Sequence, residues 1–164
     1  MSRAFVKEES AQPPLVVPRA PLPADVPNYV TRRGLSVLHA ERAELAAVRP
    51  SLDGGADGSA LAAHQARLGA LDARIASAVL LDTSTLAQDE VRFSALVTLA
   101  DASDNLRRYR IVGVDEAEPE SGRIAFTAPL ARQLMGKRLG DVVLLRTTRG
   151  ETELEIIAID YTQE

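Results

Sequence analysis

The sequence predicts an α+β protein, in which two helices paired as an antiparallel hairpin precede a domain built mainly from short strands. Three observations support this prediction. Apolar residues recur at three- and four-residue spacing on both sides of the glycine-rich stretch 51–59, which is typical of two helices packed along one seam. Apolar residues also fill every second position in 91–99, which is typical of a strand with one buried face. Short β-branched runs between turn residues continue to Tyr161.

The first 27 residues carry six of the nine prolines. Proline fixes φ and removes a hydrogen-bond donor, so neither a helix nor a sheet persists through such a segment. We therefore expect residues 1–27 to be a proline-rich tail that is disordered or polyproline-like. The alternative is a docking arm that folds on a partner, with Phe5 and Val6 as its apolar anchors.

Residues 28–82 are predicted to form the helical hairpin. Thr31 suits the N-cap of the first helix, which would run to about Arg49. The second helix would run from about Ser59 to Val79. Arms of roughly 16 to 21 residues reach about 25–30 Å at ~1.5 Å per residue.

Both helices present a predicted seam. Its members are Leu35, Leu38, Arg42 and Leu45 on the first helix and Leu61, His64, Leu68, Leu71, Ile75 and Ala78 on the second. The alkyl stem of Arg42 can cover apolar surface while its guanidinium head stays in water. We interpret His64, and His39 on the first helix, as packing residues and not metal ligands. Residues 51–59 hold three glycines together with Asp53 and Asp57, which predicts a turn at the tip of the hairpin.

Residues 83–89 are predicted to be a short polar linker, and 90–164 the strand-rich domain. The predicted strands of this domain lie at 91–99, 106–114, 123–127, 142–145 and 154–159. One short helix is expected to begin at Pro129, whose missing N–H costs nothing in a first turn, and to stop at Gly136. Residues 148–151 are predicted to form a tight hairpin in which Gly150 takes a positive φ.

Composition excludes several classes of protein. The 164 residues contain no cysteine, which excludes a disulfide framework, a cysteine-ligated zinc site and a cysteine nucleophile, and suits a reducing compartment. No apolar run approaches the ~20 residues of a membrane helix and no signal peptide opens the chain, so we expect a cytoplasmic protein. The net charge is −4, and neither half has a basic excess, so we expect a protein partner and no sequence-specific DNA binding. We expect the protein to be a monomer.

The C-terminal residues also resemble a known family. The matching segments are Ile111-Val112-Gly113, Asp115-Glu116-Ala117, Gly122-Arg123-Ile124, Pro129-Leu130-Ala131-Arg132, Gly136-Lys137, Leu139-Gly140-Asp141-Val142 and Glu155-Ile156-Ile157-Ala158-Ile159. In this order and spacing they are similar to the C-terminal domain of the bacterial GreA/GreB transcript cleavage factors. Val30, Thr31 and Gly34 match the phrase that opens the first helix of that family. The resemblance covers residues 28–161 and implies an FKBP-like α+β domain behind an N-terminal coiled coil, in the bacterial cytoplasm.

The resemblance implies a transcription elongation factor that binds RNA polymerase and acts through its secondary channel on arrested or backtracked complexes. Such a factor is not an enzyme, because it stimulates or modulates the RNA cleavage activity of the polymerase itself. In the family, acids at the coiled-coil tip help to hold a Mg²⁺ ion in the polymerase active site, a role that would fall on Asp53 and Asp57. No cofactor and no metal is expected in the isolated protein. The expected polymerase-docking residues are Thr127, Ala128, Pro129 and Leu130.

The chain departs from the family pattern at both places. The tip lacks the Glu-Asn-Ala-Glu-Tyr run of the family and the hairpin is shorter, while Thr127 and Ala128 stand where the family carries an acid and a hydroxyl. An alternative is therefore a non-cleaving competitor for the secondary channel, Rnk-like or anti-Gre, in which Asp53 and Asp57 are solvated turn residues. Two further classes stay open: a peptidyl-prolyl isomerase, suggested by the FKBP-like fold alone, and a generic chaperone or interaction module.

Overall fold

The computed structural model describes residues 22–48, 59–81, 83, 89–148 and 150–162. The elements, in chain order, are β1 Asn28–Val30, α1 Arg32–Ala47, α2 Ser59–Ala76, β2 Ala78–Leu80, β3 Leu96–Ala100, β4 Leu106–Val112, β5 Arg123–Ala125, α3 Pro129–Leu134, β6 Val142–Thr147 and β7 Gly150–Asp160. A short 3-10 turn, Val114–Glu116, follows β4 and is called the acidic turn below. Most of the predicted tail, the predicted tip and most of the predicted linker lie outside the described residues, and the domain limits remain predictions.

Helices α1 and α2 pack side by side. Leu38 on α1 and Leu71 on α2 are each 1% exposed and belong to one apolar cluster. One turn further along α1, Glu41 pairs with Arg67 at 3.6 Å. The residue on α2 that meets α1 thus changes from 71 to 67 as the contact on α1 moves from 38 to 41. The two helices therefore run antiparallel. The finer coiled-coil geometry remains a prediction.

Arg42, the arginine of the predicted seam, keeps its head in water as the sequence predicts. The guanidinium of Arg42 stays in water, where a hydrogen bond to the Asp72 carboxylate raises the pKa of Arg42. Thr31 also fulfils its predicted role, because its Oγ1 caps α1 by accepting a hydrogen bond from the Gly34 N–H at 2.9 Å.

The second helix ends earlier than predicted. It stops at Ala76, and Ala78 and Val79, which were predicted to be helical, belong to β2. Strand β2 pairs with β1 in parallel, with Asn28 opposite Ala78. The prediction was wrong here because the backbone groups of β2 are satisfied by β1, fifty residues away in sequence, which no local pattern reveals.

The strand-rich part contains the five predicted strands in one mixed sheet. Their spatial order is β5-β4-β3-β7-β6, with β4 and β5 parallel and the other neighbours antiparallel. Helix α3 covers one face of this sheet, and its Ala131 and Leu134 are fully buried in the core. The strands supply most of the remaining core. Its buried members from β3 to β7 are Val97, Leu99, Ile111, Ile124, Val143, Leu154 and Ile156.

Strand β5 ends at Ala125, two residues before its predicted end, and β3 and β4 are also shorter than predicted, for local reasons. Burial alternates from Val91 onward as predicted, but β3 begins only at Leu96, because the chain turns at Ser94, whose φ is 69°. Strand β4 ends at Val112 because the acidic turn begins at Val114. Strands β6 and β7 pair up to Thr147 and Gly150, and Gly150 has the expected positive φ, 128°. The FKBP-like assignment remains a prediction.

Candidate functional site

Residues 127–130, the predicted docking segment, lie where the chain passes from β5 into the first turn of α3. The segment is held as a tight corner, because the Ala128 N–H donates to the Ala125 carbonyl at 2.8 Å and the Ala128 carbonyl accepts from the Arg132 N–H at 3.0 Å. Pro129 occupies the first turn of α3, as the sequence predicts, and its side chain is exposed. Leu130 is half-buried and packs against the core. The corner therefore presents Pro129 outward on a fixed backbone.

An apolar surface continues from the end of α3 to the edge strand β6. Leu134 is fully buried, whereas Met135 is 39% exposed, so only the second of these two residues is available to a partner. The Oε1 of Gln133 accepts a hydrogen bond from the Leu144 N–H at 3.3 Å, which joins α3 to β6. The other large apolar side chains exposed here are Leu139, Val142 and Leu144. Their exposure could not be predicted for Val142 and Leu144, because an exposed apolar residue in a strand has the same local pattern as a buried one; Leu139 lies in the turn before β6.

Three aromatic residues, one from β1 and two from the sheet-rich part, pack against one another. The rings of Tyr29, Phe93 and Phe126 form a triangle with centroid separations of 5.5 to 5.9 Å, which is the range of favourable aromatic pairs. The three ring faces therefore serve the packing of β1 against the sheet. No observation of this cluster favours the prolyl isomerase alternative.

Tyr161 is a buried residue of the same core. Its hydroxyl donates to the Glu90 carbonyl and accepts from the Arg92 N–H, the latter at 2.9 Å. Burial raises the pKa of Tyr161 above its ordinary value of 10.0. The ring thus fixes the segment that leads into β3.

The base of the hairpin is held by two neighbouring carboxylates of the acidic turn. The first, Glu116, lies at the N-terminal end of α1. Its Oε2 accepts a hydrogen bond from the Thr31 hydroxyl, and its Oε1 lies 3.3 Å from Nη1 of Arg33. The Glu116 side chain is 5% exposed. Gly34 leaves room for this carboxylate, because a Cβ there would lie 2.5 Å from Glu116 Oε2.

The second carboxylate, Asp115, holds the end of α2. Its Oδ2 lies 3.1 Å from Nε of Arg74, and the two side chains are 7% and 9% exposed. Arg74 is in the last turn of α2, and its backbone carbonyl accepts a hydrogen bond from Nδ2 of the buried Asn28 at 2.8 Å. The acidic turn thus contacts both helices of the hairpin and, through Asn28, lies close to the start of β1.

The predicted tip acids, Asp53 and Asp57, lie outside the described residues, so their role remains a prediction. Within the described ranges, no group of three or more metal-ligating side chains occurs. The same ranges contain no helix long and apolar enough to cross a membrane.

Comparison with known proteins gives one family. The family described as "Transcription elongation factor, GreA/GreB, C-term" matches residues 86–161. The transcription elongation factor GreA of Acidiphilium cryptum (strain JF-5) is 42% identical over 98 residues, which cover 59% of this chain and 62% of that protein. The GreA of Anaeromyxobacter sp. (strain K) is 41% identical over 101 residues, or 61% of each chain. The chain thus spans about three fifths of the length of the curated relatives it matches.

Two solved structures are similar over a larger part of the chain. The GreA factor homolog 1 (Gfh1) of Thermus thermophilus is 24% identical, with a TM-score of 0.41, over 80% of this chain and 97% of that one. A GreA/GreB elongation factor from Nitrosomonas europaea is 16% identical, with a TM-score of 0.44, over 81% of this chain and 98% of that one.

Proposed function

We propose that this protein binds RNA polymerase and modulates elongation. The premise is that residues 86–161 belong to the GreA/GreB family of transcription elongation factors. The sheet-rich part would dock on the rim of the secondary channel, and the hairpin would enter the channel. The protein would have no catalytic site of its own. It would change the RNA cleavage activity of the polymerase in arrested or backtracked complexes.

One observation carries this proposal: the segment that matches the family is attached to two antiparallel helices of 16 and 18 residues. At ~1.5 Å per residue, helices of these lengths reach about 24 and 27 Å. An arm of that length, fixed at one end on a docking domain, suits a partner with a deep and narrow opening. It does not require a ligand pocket in the protein itself.

RNA cleavage by purified RNA polymerase, measured in a stalled and backtracked complex with and without the protein, tests the activity. Faster cleavage would support a factor that lends a ligand to the polymerase site. No acceleration, together with loss of the stimulation given by a GreA added alongside, would support the non-cleaving competitor instead. Neither acceleration nor competition would refute the proposal.

The tip acids decide between these two forms of the proposal. Carboxylates are oxygen ligands that Mg²⁺ prefers, at distances near 2.1 Å, so a ligand displaced by several ångströms does not bind. If Asp53 and Asp57 help to hold a Mg²⁺ ion in the polymerase active site, the double variant Asp53→Ala/Asp57→Ala loses stimulation but still binds polymerase. Unchanged cleavage by this variant would exclude the metal-ligand role.

The docking role of residues 127–130 is tested by Pro129→Glu. An acid is favourable in the first turn of a helix, so the variant should fold, while its charge opposes an apolar contact. Pro119→Glu is a matched control, because Pro119 is also exposed and also opens a helical turn, before β5 instead of after it. We expect Pro129→Glu, and not the control, to weaken binding to purified polymerase about tenfold or more. Equal affinities would place the docking surface elsewhere.

A further inference from the structure

We infer that Asp115 and Glu116 are positioning residues that set the direction in which the hairpin leaves the sheet-rich part of the protein. The two acids are adjacent in sequence, and each binds a different helix of the hairpin. Glu116 contacts the first turn of α1 through Thr31 and Arg33, and Asp115 contacts the last turn of α2 through Arg74. Fixing both helices at their base removes the freedom to tilt or rotate that a single anchor would leave.

The charges of the two helix ends explain why the anchor is acidic. The first turn of α1 contains no acid and instead begins with Arg32 and Arg33, although the N-terminal end of a helix carries a partial positive charge and favours anions. Glu116 brings the missing negative charge from another part of the chain, 85 residues away from Thr31. At the other anchor, Arg74 suits the negative C-terminal end of α2, and Asp115 balances its charge.

The close packing around the acidic turn makes the anchor rigid. Gly34 gives Glu116 room against the start of α1, and Gly113 lets the chain before the acidic turn approach the β1 backbone, because a Cβ at Gly113 would lie 2.6 Å from the Tyr29 carbonyl oxygen. The Asp115, Glu116 and Arg74 side chains are each less than 10% exposed. Water therefore has little access to compete for these carboxylates.

The direction matters because the arm is long. A tilt of about 10° at the base of a helix of about 27 Å moves its far end by about 5 Å. This displacement is larger than any tolerance for delivering a side chain to a fixed point in a partner. The consequence for RNA polymerase rests on the proposed function, whereas the orientation itself is a property of the free protein and is tested without a partner.

The experiment measures the distance between two spin labels in the free protein by double electron–electron resonance. Because the chain contains no cysteine, the exposed positions Ala66→Cys on α2 and Glu153→Cys on β7 take labels uniquely. The test variant is Asp115→Asn/Glu116→Gln, which removes both charges with little change in shape. The matched control is Asp104→Asn/Glu120→Gln, which makes the same two chemical changes at exposed positions.

We expect one narrow distance distribution in the parent and in the control, and the loss of that single narrow peak in the test variant while circular dichroism shows its helices intact. A merely stabilising role would not change the distance in molecules that are still folded. The same narrow peak in the test variant would overturn the inference. If the double variant does not fold, the label distances are measured in the single variants Asp115→Asn and Glu116→Gln. An unchanged distance distribution in both folded single variants would also overturn the inference.

A second readout connects the orientation to polymerase. The test variant should keep the affinity of the parent for purified RNA polymerase, since residues 127–130 are unchanged, and should lose any effect of the parent on the RNA cleavage rate at saturating protein. A parent that has no effect on polymerase would refute the proposed function, while the label distances would still decide the inference. A test variant with full effect at saturation and a shifted distance would show that the direction of the arm does not matter to polymerase.

Discussion

The closest backbone approach at the base of the hairpin gives a sharp prediction for Gly113→Ala. Gly113 has φ −63° and ψ 161°, a conformation that alanine adopts freely, so the substitution introduces no backbone strain. Its effect therefore depends on space alone. The new Cβ would lie 2.6 Å from the Tyr29 carbonyl oxygen, whereas ordinary contacts between carbon and other heavy atoms are about 3.5 Å or longer. Because the obstacle is backbone in β1, no rotamer change can relieve the contact.

The chain offers a matched control in Gly69→Ala. Gly69 is exposed within α2, and a Cβ there would meet nothing within 4 Å. Alanine is favoured over glycine in a helix interior by about 0.8–1 kcal/mol, so this variant should be more stable than the parent. Gly113→Ala should lose about 1–3 kcal/mol, the usual cost of forcing extra volume into a packed site. The same chemical change thus has opposite signs at the two positions.

Thermal and urea unfolding measure both variants. For a chain of this size, 1 kcal/mol corresponds to about 2–4 °C in Tm, so Gly113→Ala should melt about 2–12 °C below the parent and Gly69→Ala about 2–4 °C above it. Equal or increased stability of Gly113→Ala would refute the close contact between β1 and the chain before the acidic turn. A loss in Gly69→Ala would refute the open environment of the α2 surface.

Three further outcomes are expected from the core and its edges. Leu71→Ala should lose about 2–5 kcal/mol of unfolding free energy in urea, because the side chain is 1% exposed, whereas Leu139→Ala, at 64% exposure, should stay within about 0.5 kcal/mol of the parent. Tyr161→Phe should lose about 0.5–1.5 kcal/mol, since it removes the part-buried hydrogen bond that the Arg92 N–H donates to the Tyr161 hydroxyl. Burial raises the pKa of Tyr161 in the folded protein. The stability that the neutral Tyr161 hydroxyl contributes is therefore fully present below pH 10 and falls as the pH rises above 10. Unfolding free energy measured against pH should therefore fall more steeply in this range for the parent than for Tyr161→Phe.

The elements that the sequence predicts well are those whose evidence is local. The periods of α1 and α2, the alternation that starts at Val91 and the first-turn proline of α3 depend on residues a few positions apart. Leu38 and Leu71, both predicted seam residues, are the buried pair between the helices. Part of the candidate site was predictable for the same reason, because the exposed corner at Pro129 follows from a strand that meets a helix.

The features that the sequence does not predict depend on pairing across long separations. Strands β1 and β2 are three residues each, too short for an alternation to be read. The contact of Glu116 with Thr31 joins residues 85 positions apart and leaves no periodic pattern. One local signal did exist: the first turn of α1 begins with Arg32 and Arg33 and contains no acid, which is unfavourable at a helix N-terminus and indicates an anion from elsewhere in the fold.

The apolar core of the hairpin shows why its base has to be held from outside. Among the described residues, three form the buried cluster between the helices, with four partly buried apolar side chains packed against them, and one of the three, Val30, comes from β1 and not from either helix. Two helices of 16 and 18 residues that share so small a core are marginal in isolation, since most helical stability in proteins comes from packing. The contacts of β1 with β2 and of the acidic turn with both helix ends therefore do two things at once. They supply stability that the thin helix–helix interface lacks, and they transmit the orientation of the sheet to the arm, so a change that loosens the base is expected to weaken both.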